Sequence, residues 1–545
     1  MKKVKIKLLT IFSIAMLLVL SACSGANDAS TTSKNSNGKG NSTASLGDTI
    51  VVGISNAVGS INPINARDLG AMTISNILFD PFFEANESME FLPKLADSLE
   101  TKDNQAFTIK LNPKAKWTDG KPVTTEDVKF TFDTMGNPAV QSVGLKTLSV
   151  IEGLDDNGAL PKGEKSVKGI EIVDATTFII HTKRPTDPNY LKGALLNFRT
   201  IPSHILKDKD PATLHQDPFM QKPTVSDGAY TLKDFSGETH VELKANPGYY
   251  RGAPKTEKLF FKVVPQANIT AQLQTGEINM NYPATGAIAI QDIEKVKNMA
   301  NVKAVDGKGY DWQEIYFNTK TISNPKMRQA IAYAINRPQL VEKLLKGKAE
   351  IIDGPFTSLH PYFDKDIKKY DYDPSKAKKL IKESGWDKSK PIRVNVPVGN
   401  QVREQSAVII AENLKAVGLN VQIQKYDFPT HMAKGAKHDF DLMFLGIPYQ
   451  IDPDVTAFYA TNAPYNFAAY SNPEMDKLLA QGTSEPDPEK RKVIYNKVQE
   501  ILHEDLPTFS LYSDFQMGAV SKKVKVGLPK QFGMFYDVKD WVIEK

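Results

Sequence analysis

The sequence predicts an α/β protein with more than one lobe, and three observations carry that expectation. Residues 48–545 form a stretch longer than a single hydrophobic core usually serves. Between residues 373 and 447 the apolar pattern switches between helical and alternating periodicity in the order of a βαβ unit. Hydrophobic residues make up 41% and charged residues 24% of the chain, the balance of a globular protein. No repeat of roughly 20 to 50 residues points to a solenoid.

A segment of different character precedes that body. Lys2, Lys3, Lys5 and Lys7 lead into an uncharged apolar run over residues 8–20, which reads as the n-region and h-region of a secretory signal. The run is too short for a comfortable membrane span. Ser21 and Ala22 follow, then Cys23, the only cysteine of the 545 residues, so no disulfide can form within the chain. The stretch Leu20-Ser21-Ala22-Cys23 resembles the lipobox of bacterial lipoproteins. It implies a signal peptide over residues 1–22 and a lipidated Cys23 anchored to the outer face of the cell membrane. Lipid contributes about 0.8 kcal/mol per buried methylene, so more than one chain makes such an anchor durable. Residues 24–47 hold no aromatic and one large apolar side chain, and with Cys23 are expected to form a flexible tether. The formal net charge is +5, and removing the four leader lysines leaves +1. Nothing in that balance favours nucleic acid or a polyanionic partner.

Order is expected to begin at the strand "DTIVVGI" over residues 48–54. In "AKWTDGKPVTTEDVKFTFDTM", Thr118-Asp119-Gly120 makes a turn, and Thr124 with Asp127 three residues on opens a helix as a capping box. In "NPKMRQAIAYAINRPQLVEKLL", Met327, Ile331, Ile335, Val341 and Leu345 form a core stripe, while Arg328 and Arg337 suit structural ion pairs better than ligand contacts. "YDPSKAKKLIKESGW" supplies Asp373 as N-cap, Pro374 at the first helical position and Gly385 past the end. Ile392, Val394, Val396 and Val398 then alternate as a strand. Val402, Ile409, Ile410, Leu414 and Val417 keep helical spacing, and Leu419, Val421 and Ile423 alternate again. A right-handed crossover makes those two strands parallel. "FDLMFLGI", residues 440–447, is a nearly continuous apolar run, as in a strand covered on both faces.

Open α/β sheets bind ligands outside the carboxyl ends of their strands, and "PYQIDPD" leaves that end of the last strand. Asp452 and Asp454 there suit either a charge-assisted bond to a ligand ammonium or a D-P-D turn that caps the next helix.

Five stretches together resemble a known family: "AKWTDGKPVTTEDVKFTF", "ANPGYYRGAPKTEKLFFKVVPQANITAQLQTGEINM", "NPKMRQAIAYAINRPQLV", "YDPSKAKKLIKESGW" and "YSNPEMDKLL". They are similar to the peptide- and nickel-binding solute-binding proteins of ABC importers, most of all the oligopeptide-binding lipoproteins of Gram-positive bacteria. The resemblance implies a bilobal α/β periplasmic-binding-protein-like fold with an extra subdomain in lobe I. It divides the chain into lobe I at residues 48–310, with the subdomain near 75–200, lobe II at 311–510, and a return to lobe I at 511–545. Two crossovers, near Trp312 and Leu511, would hinge the lobes over a ligand. It also implies an oligopeptide ligand, permease subunits in the membrane with cytoplasmic ATPases behind them, and a monomer without cofactor.

A binder of many peptides gains affinity from the backbone that all of them share, while hydrated pockets accommodate side chains. Members of that family that fix the peptide's amino end do so with an aspartate in a Trp-x-x-Asp-like stretch. This chain departs from the pattern, with Tyr449 at the comparable position and Asp452 and Asp454 shortly after it. The expected cleft is therefore lined by Tyr449, Asp452 and Asp454, joined by Tyr310 and Trp312 from the crossover, whose aromatic faces pack on the ligand.

Enzyme readings find little. Two S-x-x-K matches, Ser323 to Lys326 and Ser375 to Lys378, lack K-T-G or S-D-N partners. There is no H-E-x-x-H and no Walker A stretch, and the eight histidines are scattered. No metal site is expected. The other readings left open are the same fold with another solute, such as a nickel chelate or a signalling peptide, and a surface lipoprotein acting as adhesin or chaperone.

Overall fold

The computed structural model describes residues 48–66, 68–142, 145–448 and 451–544. The signal, Cys23, the tether and Tyr449 lie outside the described residues. Two large sheets organise the rest. The first joins, in spatial order, Val302–Val305, Gly518–Ser521, Met280–Asn281, Thr49–Ile54, Lys258–Val263, His240–Ala245 and Tyr230–Ser236. Thr49–Ile54 runs parallel to both Lys258–Val263 and Met280–Asn281. This sheet is the centre of lobe I.

A four-stranded antiparallel sheet, Ala96–Thr101, Ala106–Leu111, Thr177–His181 and Ile170–Ile172, makes the extra subdomain. Its helix Thr125–Gly136 starts with the expected capping box between Thr124 and Asp127. Asp127 also accepts the Trp117 indole N–H at 3.2 Å and the Ser203 backbone N–H at 2.9 Å. One apolar core runs from Val52 of the main sheet through Phe107 and Phe178 of the subdomain to Trp541 near the C-terminus. The subdomain is thereby welded to lobe I.

Lobe II is a six-stranded mixed sheet in the order Ala349–Glu350, Thr508–Asp514, Trp312–Phe317, Leu442–Ile447, Ile392–Pro397 and Val421–Tyr426. Ile392–Pro397 and Val421–Tyr426 are parallel and joined by the helix Gln401–Ala416, the βαβ unit expected from periodicity. Leu442–Ile447 lies inside the sheet between Trp312–Phe317 and Ile392–Pro397, which explains its unbroken apolar character. The helix Pro374–Ser384 has Asp373 accepting the Lys376 N–H and Gly385 at φ 72°, a left-handed position that glycine adopts without steric cost. Met327, Ile331, Ile335 and Leu345 are fully buried, and Val341 is half-buried.

The return to lobe I falls later than the boundary expected at residue 511. Leu511 sits within the strand Thr508–Asp514, which pairs with Trp312–Phe317 through Tyr512 and with Ala349–Glu350 through Asp514. Backbone pairing therefore holds the chain in lobe II until the crossing at residues 515–517. Among the described residues no helix is long and apolar enough to cross a membrane.

Candidate functional site

Residues 306–311 and 515–517 connect the lobes, and the first of these crossings ends at the site. Tyr310 is buried, its hydroxyl donates to the Glu87 carbonyl, and its ring centroid lies 5.4 Å from that of Phe532. Glu87 belongs to the tip of a hairpin between the strands Phe83–Ala85 and Phe91–Pro93 of lobe I. The "ANPGYYRG" motif anchors the base of this hairpin. Tyr249 and Tyr250 both donate to the Asp80 carboxylate, at 2.8 and 2.6 Å, and Arg251 donates to the carbonyls of Pro93 and Lys94. Lys94 completes the cluster with an ion pair to Glu84 at 2.6 Å. Burial still outweighs that lysine and pushes Glu84 up to about 7.

Trp312 opens the first inner strand of lobe II, opposite Ile447. Glu314, two residues on, shares its face of the sheet, and the Trp312 indole N–H donates to the Glu314 carboxylate at 3.1 Å. Both line a small cavity of about 20 Å³ with Tyr310, Phe356, Ile447 and Phe458. Glu314 is 1% exposed, and burial pushes it up to about 7; the opposing influences are hydrogen bonds, with no cationic side chain among them. Sequence reasoning chose Trp312 and passed over Glu314. The period of two in "WQEIYF" was the available signal, because it places the carboxylate on the same face as the indole.

Gln313 faces the other way and borders a larger interlobe cleft of about 340 Å³. Gln266 and Ile290 of lobe I, with Lys348, Asn400 and Asp514 of lobe II, also line it. Burial, reinforced by the neighbouring Asp311, pushes Asp514 up to about 6.

The D-P-D turn has a different arrangement from Trp312 and Glu314. Asp452 receives two N–H bonds from Arg491, at 2.7 and 2.9 Å. Arg491 lies on the helix Pro488–Asp505 and also donates to Asp187 of lobe I at 3.1 Å and to the Gly482 carbonyl at 2.8 Å. Burial disfavours the Arg491 charge, but Asp452 and then Asp187 more than offset it and keep the guanidinium charged. One planar fork thus joins the two lobes. Asp452 also borders a cavity of about 240 Å³ that shares Met89 with the Glu314 cavity.

Asp454 accepts the Thr456 N–H at 2.9 Å in the turn that leads into the short helix Thr456–Tyr459, whose N-cap is Val455, while its own N–H donates to Asp452. Burial raises its carboxyl above the ordinary range. The structure thus brings Tyr310 and Trp312 to one cavity and Asp452 to the neighbouring one, and turns Asp454 toward its helix.

Arg328 and Arg337 serve lobe II itself. Arg328 donates to the carbonyls of Ile322, Ser323 and Asp505, and Arg337 pairs with Asp353 at 2.6 Å. Among the described residues no group of three or more His, Cys, Asp or Glu side chains could hold a metal ion.

Comparisons with known proteins place this architecture. The oligopeptide-binding protein AppA of Bacillus subtilis is 27% identical over 537 residues, covering 94% of each chain. The glutathione-binding protein GsiB of Pectobacterium atrosepticum is 26% identical, over 87% of this chain and 90% of its own. The crystal structure of the ABC transporter substrate-binding protein CtaP from Listeria monocytogenes superposes with a TM-score of 0.81 at 26% identity, covering 92% of this chain and 100% of that one. The description "Bacterial extracellular solute-binding proteins, family 5 Middle" matches residues 90–469. That match spans more than half of the chain, and the chain belongs to the bacterial extracellular solute-binding proteins, family 5.

Proposed function

We propose that this protein captures oligopeptides between its lobes and delivers them to an ABC importer. Its permease subunits lie in the membrane and its ATPases on the cytoplasmic side. The observation that carries this reading is the run of cavities at the lobe interface, lined from both sides and walled by aromatic rings around Trp312. The full-length similarity to a protein named for oligopeptide binding supports the same ligand class. In this reading Tyr310, Trp312 and Tyr449 offer aromatic faces to the peptide. Asp452 and Asp454 shape the wall beside them, Asp452 through its fork with Arg491.

Capture and release need no bond to be broken, so the protein acts as a binder and not an enzyme. It works as a monomer outside the cell, with lipid on Cys23 and residues 24–47 as the tether. Native mass spectrometry of freshly purified protein tests the ligand class. Retained or added masses matching oligopeptides are expected, and a spectrum that no oligopeptide mixture changes would overturn the reading. Loss of the protein from the membrane fraction on Cys23→Ser checks the anchor; unchanged retention there would remove it.

A further inference from the structure

We propose that a pocket lined by lobe I takes one phenyl-sized aromatic side chain of the peptide. This deepens the oligopeptide reading and rests on it. The pocket holds about 150 Å³ and is lined by Leu69 and Met72 of the helix Leu69–Leu78, by Tyr282, and by Phe532, Phe535 and Tyr536 after the return to lobe I. An apolar cavity of about 150 Å³ accommodates a benzene ring, so the space matches one six-membered ring whose Cβ stays at the mouth.

The lining chemistry points the same way. Polar side chains at the pocket are engaged within the protein: Asn76 and Asn197 accept from Arg199 at 2.6 and 3.5 Å, Glu84 pairs with Lys94 at 2.6 Å, and the Thr73 hydroxyl donates to Tyr282 at 3.5 Å. Among the described residues no lysine, arginine or histidine lines it, so an acidic side chain would lose its hydration with no cation to compensate. What remains for a ligand is ring surface, which favours a further ring at an offset or an edge, and the Met72 thioether, which packs on aromatic edges. The wall is already formed. Phe535 lies 5.2 Å from Tyr282 and 5.3 Å from Trp541 between centroids. Gly533, at φ 61°, sits where a Cβ would come 2.7 Å from the Ala85 carbonyl oxygen, so residues 532–536 press directly on the hairpin. The same segment reaches the lobe crossing, where Gln531 donates to Asp311 at 2.7 Å and Phe532 packs on Tyr310. The pocket thus adjoins the interlobe site while its described lining comes from lobe I, and it can seat the ring before the lobes close.

Calorimetric titration tests the proposal with an alternating alanine–serine hexapeptide and its versions that carry one phenylalanine at each position in turn. At one position phenylalanine is expected to strengthen binding at least about tenfold, and glutamate there is expected to give no gain. Met72→Trp fills the pocket, and Leu69→Trp covers its mouth from a position 39% exposed, where the fold tolerates a larger side chain. Each is expected to erase most of the phenylalanine gain. No gain at any position, or a gain undiminished in the folded variants, overturns the aromatic pocket while leaving peptide capture intact. Failure of every peptide to bind overturns both.

Discussion

Glu314→Gln should make the empty protein more stable, by an amount that depends on pH. Burial raises the Glu314 carboxyl from its ordinary 4.5 to about 7, so the folded state binds its proton more tightly than the unfolded state. Linkage gives the sign: the stabilisation from holding that proton is fully present below the unfolded value and is lost as pH rises through the folded one. Above pH 7 the folded protein carries a buried charge that the unfolded chain would solvate. At roughly 1.4 kcal/mol per pKa unit the cost approaches about 3 kcal/mol. Glutamine removes the charge and keeps an oxygen for the indole N–H. Urea unfolding at pH 4 and pH 8 reads the difference. The variant should match wild type at the lower pH and exceed it by up to about 3 kcal/mol at the higher. An equal difference at both values, or a variant that is less stable at pH 8, would refute the assignment of an uncompensated charge.

Other sites give further expectations. Asp187→Asn takes the charge from the lobe I side of the Arg491 fork and should cost the closed form about 1–3 kcal/mol, read as faster peptide release in stopped-flow; an unchanged rate would contradict the latch. Asp452→Asn leaves the buried Arg491 with Asp187 alone and should destabilise lobe II by about 3 kcal/mol, measured by urea unfolding. Gly482→Ala places a Cβ 2.8 Å from the Tyr495 ring and should lower stability by about 1–3 kcal/mol, although alanine is the better helix former. His431 donates through Nε2 to the Phe444 carbonyl at 2.8 Å, and burial pulls it from 6.5 down to about 4. Its neutral form therefore supports the fold above pH 6.5, and that support is lost as pH falls toward 4. His431→Gln should flatten this acid limb of the unfolding profile.

What the sequence disclosed follows the range of the interactions involved. Asp373, Pro374 and Gly385 mark their helix because caps act within one turn. The βαβ unit is legible because burial imposes periods of 3.6 and two on neighbouring residues. The Arg491 fork was not legible, since its partners lie 39 and 304 positions away. The same limit misplaced the return at residue 511. Alternation there marks a strand, but its membership of lobe II depends on pairing with Trp312–Phe317 nearly two hundred positions earlier. Tyr249, Tyr250 and Arg251 show the converse: a conspicuous motif whose purpose, bracing a hairpin through Asp80 and two carbonyls, emerges only in three dimensions.

Small-angle X-ray scattering with and without oligopeptide tests capture between the lobes most directly. The account predicts that protein stripped of ligand has the larger radius of gyration and that saturating peptide reduces it, with the transition following the binding isotherm. Identical profiles at saturation, with peptide bound, would place the ligand elsewhere and contradict the interlobe site.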